Sequence, residues 1–266
     1  MRKVADRNYV SSLAKGLDVL TCFDRAHPKL SVSDVARRVD ASPASARRAL
    51  LTLHQLGYLA YDGKLFWMLP RVLLVADAYL ASRPTPNIAQ PLLDALSERT
   101  RESASMAQWM DGQVIVIARS TARQSLTVGL RIGSRLPAYC SATGRVLLAA
   151  LPPREAGTLV RKMQLRPLTL RTVVTVEGVL AQVDACRNAG HAVSDGELEL
   201  EVRSMAVPVF NNAGATIAAL SIAVRADRMG AQELQRTFLP ALRRAQAHLR
   251  DRLFDAPDQL CHVHRV

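Results

Sequence analysis

The sequence predicts an α+β chain in two parts. A small N-terminal unit of three helices and a hairpin precedes a larger domain in which helices pack around an antiparallel sheet. Three observations carry this. Residues 30–58, LSVSDVARRVDASPASARRALLTLHQLGY, hold two short amphipathic patterns separated by a polar turn. Directly afterwards YLAY and LFWML alternate around Asp62-Gly63, a hairpin signal. From Ile88 onward helical and strand-like patterns alternate, and turn residues such as Asp111-Gly112 and Asn211-Asn212-Ala213-Gly214 separate the strands. With 266 residues there is material for two cores. The expected divisions are a first domain at 1–70, a linker helix and hinge at 71–86, a second domain at 87–256 and a mobile tail at 257–266.

Residues 9–23 form the first helix, with Val10, Leu13, Leu17 and Leu20 as one apolar stripe. Ser31 or Ser33 caps the next helix, whose buried side is Val32, Val35, Ala36 and Val39. After Asp40-Ala41-Ser42, Ser42 caps a third helix with Pro43 at its first position, where a missing N–H costs nothing. Ala46, Ala49, Leu50, Leu53 and Leu56 face inward, and Gly57 stops the helix. RVLLVADAYL at 71–80 is helical again, either an interface or connecting helix or one packed within its own chain; the Pro-rich SRPTPN at 82–87 marks a boundary. In the second part, 88–101 is an amphipathic helix, 103–109 and 114–118 are strands, and 124–130 and 135–139 are shorter extended pieces. Helices follow at 143–151, 153–162 and 176–189, the last ended by Gly190. Strands at 191–194, 203–210 and 216–224 and a long helix at 232–254 complete the domain.

Charge narrows the partners. Of the net +12, residues 1–85 hold +6 (13 Lys+Arg against 7 Asp+Glu), and 86–266 hold the other +6 (22 against 16) over twice the length. Basic density is therefore highest where the helix pair sits, as a nucleic-acid footprint requires. Cys22, Cys140, Cys186 and Cys261 have no paired spacing, which argues against a disulfide framework or zinc site; no metal and no cofactor are expected, and Cys261, His262 and His264 are read as incidental. MRKVADRNYV has no apolar stretch after its basic residues and no run of 18 apolar residues occurs, so the expectation is a cytoplasmic protein without a membrane partner.

Three helices and a hairpin is the order of a winged helix-turn-helix. A recognition helix needs small or polar side chains near its N-terminus to approach base edges, and flanking cations for phosphates. Ser42, Ala44, Ser45, Arg47, Arg48 and Thr52 meet that need; Arg37 and Arg38 can clamp the adjacent backbone, and Lys64 at the hairpin tip can reach a neighbouring groove or phosphate. The expected partner is double-stranded operator DNA. One unit makes few contacts, so paired half-sites, and hence dimerisation, are expected. The alternatives are a solvated basic face, or a small-molecule sensor whose basic domain binds a protein partner. In the second part, Ala142, Thr143 and Gly144 open an apolar helix, where free N–H groups and the helix dipole favour a carboxylate.

YVSSLAKGLDVLTCF at 9–23, the helix-turn-helix, LPAYCSATGRVLLAALP at 136–152 and DGELELEVRSMAVPVFNNAGATIAALSIAV at 195–224 resemble the IclR family of bacterial transcriptional regulators, over nearly the whole chain. RLPAYCSATGRVLLA, RPLTLRT at 166–172 and FLPALRRA at 238–245 look closest to the branch controlling protocatechuate, 4-hydroxybenzoate and β-ketoadipate catabolism. The resemblance implies a GAF-like effector-binding domain after the winged helix-turn-helix, dimers or tetramers, and control of a catabolic operon by a small organic acid, an aromatic carboxylate or β-ketoadipate. RNA polymerase is a further candidate partner. Carried over position by position, it implies an effector pocket lined by Ala142, Thr143, Ser204 and Ser221, with Ser194 and Asp195 in the loop that closes on ligand. Asp195 and Glu197 can equally be a turn-capping pair. Arg135 can pair with a ligand carboxylate or brace a loop, and Tyr139 can stack on an aromatic ring or fill the core. Three positions depart from the pattern: Glu201 and Arg101, where Gly is frequent, and Thr143, where the branch has Met. Catalysis is not expected: Cys140 has only His191 as a base, and no nucleophile elbow, HExxH or phosphate loop is present.

Overall fold

A computed structural model of the chain describes residues 8–110, 112–122 and 130–253. Most of the extended piece expected at 124–130, the tail at 257–266 with Cys261, His262 and His264, and Asp111 lie outside the described residues. The chain divides between Ser82 and Arg83 into two compact units, so the helix expected as a linker belongs to the first. Among the described residues no helix is long and apolar enough to cross a membrane.

The first unit contains α1 (Ser11–Leu20), α2 (Val32–Arg38), α3 (Pro43–Gln55), a hairpin of β1 (Leu59–Tyr61) and β2 (Phe66–Met68), a 3-10 turn at Pro70–Val72, and α4 (Leu73–Ser82). Ser31 is the cap of α2: its hydroxyl accepts from Asp34 N–H while the Asp34 carboxylate accepts from Ser31 N–H, a reciprocal capping box; the Ser31 hydroxyl donating to that carboxylate at 2.6 Å, and then the Ser31 N–H, hold the Asp34 carboxyl below its ordinary range. The turn to α3 places Asp40 at φ 49°, a left-handed conformation that Asp tolerates because its short side chain is compatible with it. Ser42 then accepts from Ser45 N–H with Pro43 in the first turn, and Gly57 at φ 76° ends the helix. Val19, Leu30, Val35, Leu50, Leu59 and Phe66 fill the core, and Tyr61 stacks on Phe66.

Most of the apolar stripe of α1 stays outside that core, and of its four residues only Leu20 packs against it. Val10, Leu13 and Leu17 are more than half exposed, and Val19 is the helix's buried residue. Leu56, expected to face inward, is also exposed, as are Leu73, Leu74, Val75 and Tyr79. Amphipathic spacing marks a face that avoids water, without saying which surface covers it.

The second unit is built on a six-stranded antiparallel sheet in the order β5-β4-β3-β8-β7-β6: β3 (Ser103–Met110), β4 (Gln113–Ser120), β5 (Arg135–Leu136), β6 (Ala192–Asp195), β7 (Val202–Phe210) and β8 (Thr216–Arg225). Strand alternation gives its faces different volumes. Met106, Met205, Val207, Leu220 and Ile222 point to one side, where α5 (Pro84–Thr100) and α9 (Ala231–Arg252) cover them through Leu93, Leu96, Phe238, Leu242 and Leu249. The other face carries Ser and Ala: Ser105 and Ala107, Ser204 and Ala206, Ala219, Ser221 and Ala223. Over it lies α6 (Ala142–Ala149), backed by α7 (Pro153–Lys162) and α8 (Val176–Ala189). Small residues cannot fill that layer completely, and the space left becomes the site.

Two departures from family pattern find their reasons. Arg101 sits at φ 57° at the end of α5, a left-handed cap that Gly adopts more easily. Glu201 is exposed at the end of the β6–β7 loop and faces away from the cavity described below.

Candidate functional site

The basic face of the first unit is built by α2 and α3. Ala44, Arg47 and Arg48 are exposed on α3, and among the described residues neither arginine forms an ion pair. Ser42 is occupied as the cap. Ser45 and Thr52 stand on the edge of α3 that faces α1; the Ser45 hydroxyl accepts from Lys15 Nζ at 3.4 Å, and the Thr52 hydroxyl donates to the Arg48 carbonyl at 2.9 Å. Lys15 is thus a cation beside the recognition helix that the sequence reading missed, because α1 looked like internal support. Arg37 is exposed and pairs with Asp34 at 2.9 Å, while Arg38 lies 4.0 Å from Asp24. At the hairpin tip Lys64 is exposed, and the Asp62 carboxylate accepts from the N–H groups of Lys64 and Leu65, which holds its pKa low.

In the second unit a cavity of about 350 Å³ lies between the small-residue face of the sheet and the start of α6. Of the residues expected there, Thr143, Ser194, Ser204, Ser221 and Arg135 line it. Ser105, Arg119, Ser141 and Ser134 add polar groups, and Ala107, Val116, Leu130, Leu136, Leu198, Val202 and Ala223 supply apolar wall; exposed Glu199 borders it. Arg119, next to last in β4, stands directly opposite Ser105 in register, and Ser105 is opposite Ser221 on β8. The guanidinium donates to Ser105 Oγ at 2.8 Å and Thr121 Oγ1 at 3.2 Å, and burial pulls its pKa down. A desolvated cation in an apolar-walled cavity favours an anion strongly. Its sequence signal was slight: one Arg closing an apolar strand, across from a strand whose alternate residues are small.

Four expected residues take other roles. Ala142 and Gly144 do not line the cavity. Gly144 is fixed by packing, since a Cβ there would stand 2.3 Å from the Ala138 backbone. The Tyr139 ring is core, and its hydroxyl donates to the Arg166 carbonyl at 2.7 Å. Asp195 lies outside the cavity, held by Arg171 at 3.0 Å and by Arg203. Its supposed capping partner Glu197 points inward. Glu197 takes a bidentate pair from Arg145, with both N–O distances 2.6 Å; the two residues are 1% and 6% exposed. The loop between β6 and β7 is anchored further by Thr172 Oγ1 donating to the Glu197 carbonyl at 2.7 Å and Thr169 Oγ1 to the Gly196 carbonyl at 2.6 Å. That loop supplies Leu198 and Glu199 to the cavity. Arg145 in the middle of ATGRVLLA was the signal for this pair, but its partner is 52 residues away.

The Cys140 thiol is buried, and burial raises its pKa to about 11, so it is protonated at neutral pH. His191 Nδ1 lies 3.1 Å from the Ala189 carbonyl. Among the described residues, no group of three or more His, Cys, Asp or Glu is placed to hold a metal ion.

The profile of the IclR helix-turn-helix domain matches residues 12–63, and that of the bacterial transcriptional regulator IclR C-terminal domain matches residues 77–250. The Pca regulon regulatory protein of Pseudomonas putida is 37% identical over 250 residues, 94% of this chain and 86% of its own. A p-hydroxybenzoate hydroxylase transcriptional activator from Acinetobacter baylyi is 36% identical over 254 residues, 94% of both chains. Among solved structures, a transcription factor's inducer-binding domain from Acinetobacter, a double mutant complexed with 3-hydroxybenzoic acid, shares 34% identity at a TM-score of 0.59, covering 62% of this chain and 97% of that one. A winged helix-turn-helix followed by a sheet domain with a cavity under its first central helix, matched along most of its length by such relatives, places the chain in the IclR family of bacterial transcriptional regulators.

Proposed function

We propose that the cavity binds an aromatic carboxylate as effector, and that the α3 face binds operator DNA as one half of a dimer. The observation that carries the effector reading is Arg119: a partly buried guanidinium that donates to Ser105 Oγ in a cavity lined mostly by aliphatic and hydroxyl groups, with exposed Arg135 and Glu199 at its border. A volume of about 350 Å³ suits a small ring with a carboxyl group. The relatives' names, a p-hydroxybenzoate hydroxylase activator and an inducer-binding domain with 3-hydroxybenzoic acid, support the same class of ligand. The buried, protonated Cys140 supports a sensor without catalysis, acting in the cytoplasm where operator DNA is found.

The DNA reading rests on unpaired Arg47 and Arg48 beside small Ala44, with Lys15, Arg37, Arg38 and Lys64 around them. The dimer reading is supported by the exposed apolar residues of α1 and α4, of which Leu13, Leu17 and Val75 border a groove on the first unit together with Leu56. Such a surface is costly to leave in water, and a second copy would cover it.

Binding of the full chain to DNA from upstream of its own gene tests the reading. Affinity falls steeply with salt. Arg48→Ala weakens it by about tenfold and lowers the magnitude of the salt slope by about one, with affinity for aromatic acids unchanged. No binding at low salt, with or without an aromatic acid, would favour the protein-partner alternative. A parallel loss of acid affinity in Arg48→Ala would break the division of labour between the two units.

A further inference from the structure

Helix α9 buries one face on the sheet, through Leu234, Phe238, Leu242, Ala245 and Leu249. On its opposite face Arg236, Pro240, Arg243, Ala247 and Arg250 follow one another at steps of four, three, four and three residues, and all five are exposed. That spacing is the one by which a helix presents a continuous stripe to a second helix. The small residues between the arginines let another backbone come close. The arginines stand seven residues apart, about 10.5 Å along the axis.

Charge says what the second helix carries. Five arginines against Glu233 and Asp251 give α9 half of the positive excess of residues 86–266. Arg171, Arg225 and Arg228 each hold a carboxylate of the same unit. Among the described residues, Arg236, Arg243 and Arg250 form no ion pair. The helix dipole favours a cation in the last turn, which accounts for Arg250 but not for Arg236 or Arg243 in the interior. The stripe ends on a recess of about 470 Å³ lined by Phe210, Asn212, Gln246, Ala247, Arg250 and Asp251. Phosphates would satisfy the arginines, but they would use neither the small residues between them nor a recess with an aromatic side chain in its wall. A helix with carboxylates two turns apart and an apolar side chain at its end uses all three. We infer that the outer face of α9 is a docking surface for an acidic helix of another protein, its carboxylates on Arg236, Arg243 and Arg250 and its apolar end in the recess beside Phe210. The surface lies on the side of the sheet opposite the cavity, so it gives the regulator a protein contact distinct from its small-molecule site.

Fluorescence anisotropy with the full-length protein tests this. The probe is a labelled, Ala-rich helical peptide of about 20 residues, with Glu at seven-residue intervals and Leu at one end. It binds about tenfold more tightly than a permuted peptide of the same composition. Arg243→Glu combined with Arg250→Glu weakens it by about tenfold or more, and a peptide with Lys in place of Glu binds that double variant better than it binds the wild type. Ala247→Trp also costs about tenfold, with no change of charge, because the bulky ring blocks close approach. These positions are exposed, so melting temperatures hold and operator affinity stays within about twofold of wild type. No binding of the Glu peptide at low salt, equal binding of the permuted peptide, or no effect of Ala247→Trp reduces the face to a solvated basic surface and overturns the inference. Loss of operator affinity in the double variant would make the face a DNA contact, and a lower sedimentation mass would make it a contact between copies of this chain. Either result overturns the inference as well.

Discussion

Glu197→Ala is expected to destabilise the second unit by about 3–5 kcal/mol, because it leaves the Arg145 guanidinium buried without its counter-charge. Arg145 is 1% exposed, and among the described residues its Nε already has no partner. Besides the carboxylate, the guanidinium donates to the Val193 carbonyl at 3.2 Å. Water cannot readily reach the guanidinium, so the loss is a desolvation cost with no replacement. The double variant Arg145→Leu with Glu197→Leu should recover a large part of it, since both charges go together and a buried pair of this kind adds little net stability. Urea denaturation followed on a probe in each unit checks both statements: the transition of the second unit shifts, and that of the helix-turn-helix unit does not. Equal stability of Glu197→Ala and wild type would mean that Arg145 reaches solvent. The ligand should suffer as well. The pair ties α6, which carries Thr143, to the loop that carries Leu198, and both walls of the cavity depend on it.

Arg119→Gln is expected to weaken binding of an aromatic carboxylate by about a hundredfold while leaving DNA affinity in the absence of ligand unchanged. Glutamine keeps a donor for Ser105 and much of the side-chain length, so the variant removes charge more than shape. In a cavity partly closed to water the attraction between guanidinium and carboxylate is little screened, and truncating one member of such a pair typically costs about 2–5 kcal/mol. Burial lowers the pKa of Arg119, because leaving water disfavours its charged form. A bound carboxylate offsets that cost. Calorimetry with wild type and Arg119→Gln gives the comparison directly; equal affinities would move the carboxylate elsewhere, Arg135 at the rim being the next candidate.

The contrast between these residues and the rest of the molecule shows what a sequence makes legible. α7 and α8 begin and end at the residues that periodicity indicates, since caps, Pro153 and Gly190 are local signals. The capping of α3 by Ser42 and the hairpin at Asp62-Gly63 were legible for the same reason. The cavity was half legible. A helix N-terminus and a resemblance pointed to Thr143, Ser204 and Ser221, but Arg119 was hidden because its importance comes from strand register, which sets it opposite Ser105. Gly144 was read as part of a helix start that favours a carboxylate, whereas its lack of a side chain makes room for the Ala138 backbone. The α1 stripe shows the converse limit: its period was legible while the surface that covers Leu13 and Leu17 was not, because helical spacing is a local property and the covering surface is not.

The central claim is that one chain couples an acid in the second unit to DNA on the first. Coupling is a free energy shared between two sites, so it can be read from either side. The most direct measurement is the affinity of the full-length protein for its upstream DNA, by fluorescence anisotropy at fixed salt, with and without saturating 4-hydroxybenzoate. The predicted result is a change of about 5- to 100-fold, in either direction, that is lost in Arg119→Gln at the same ligand concentration. An operator affinity that is the same with and without the acid, under conditions where calorimetry shows the acid bound, would contradict it.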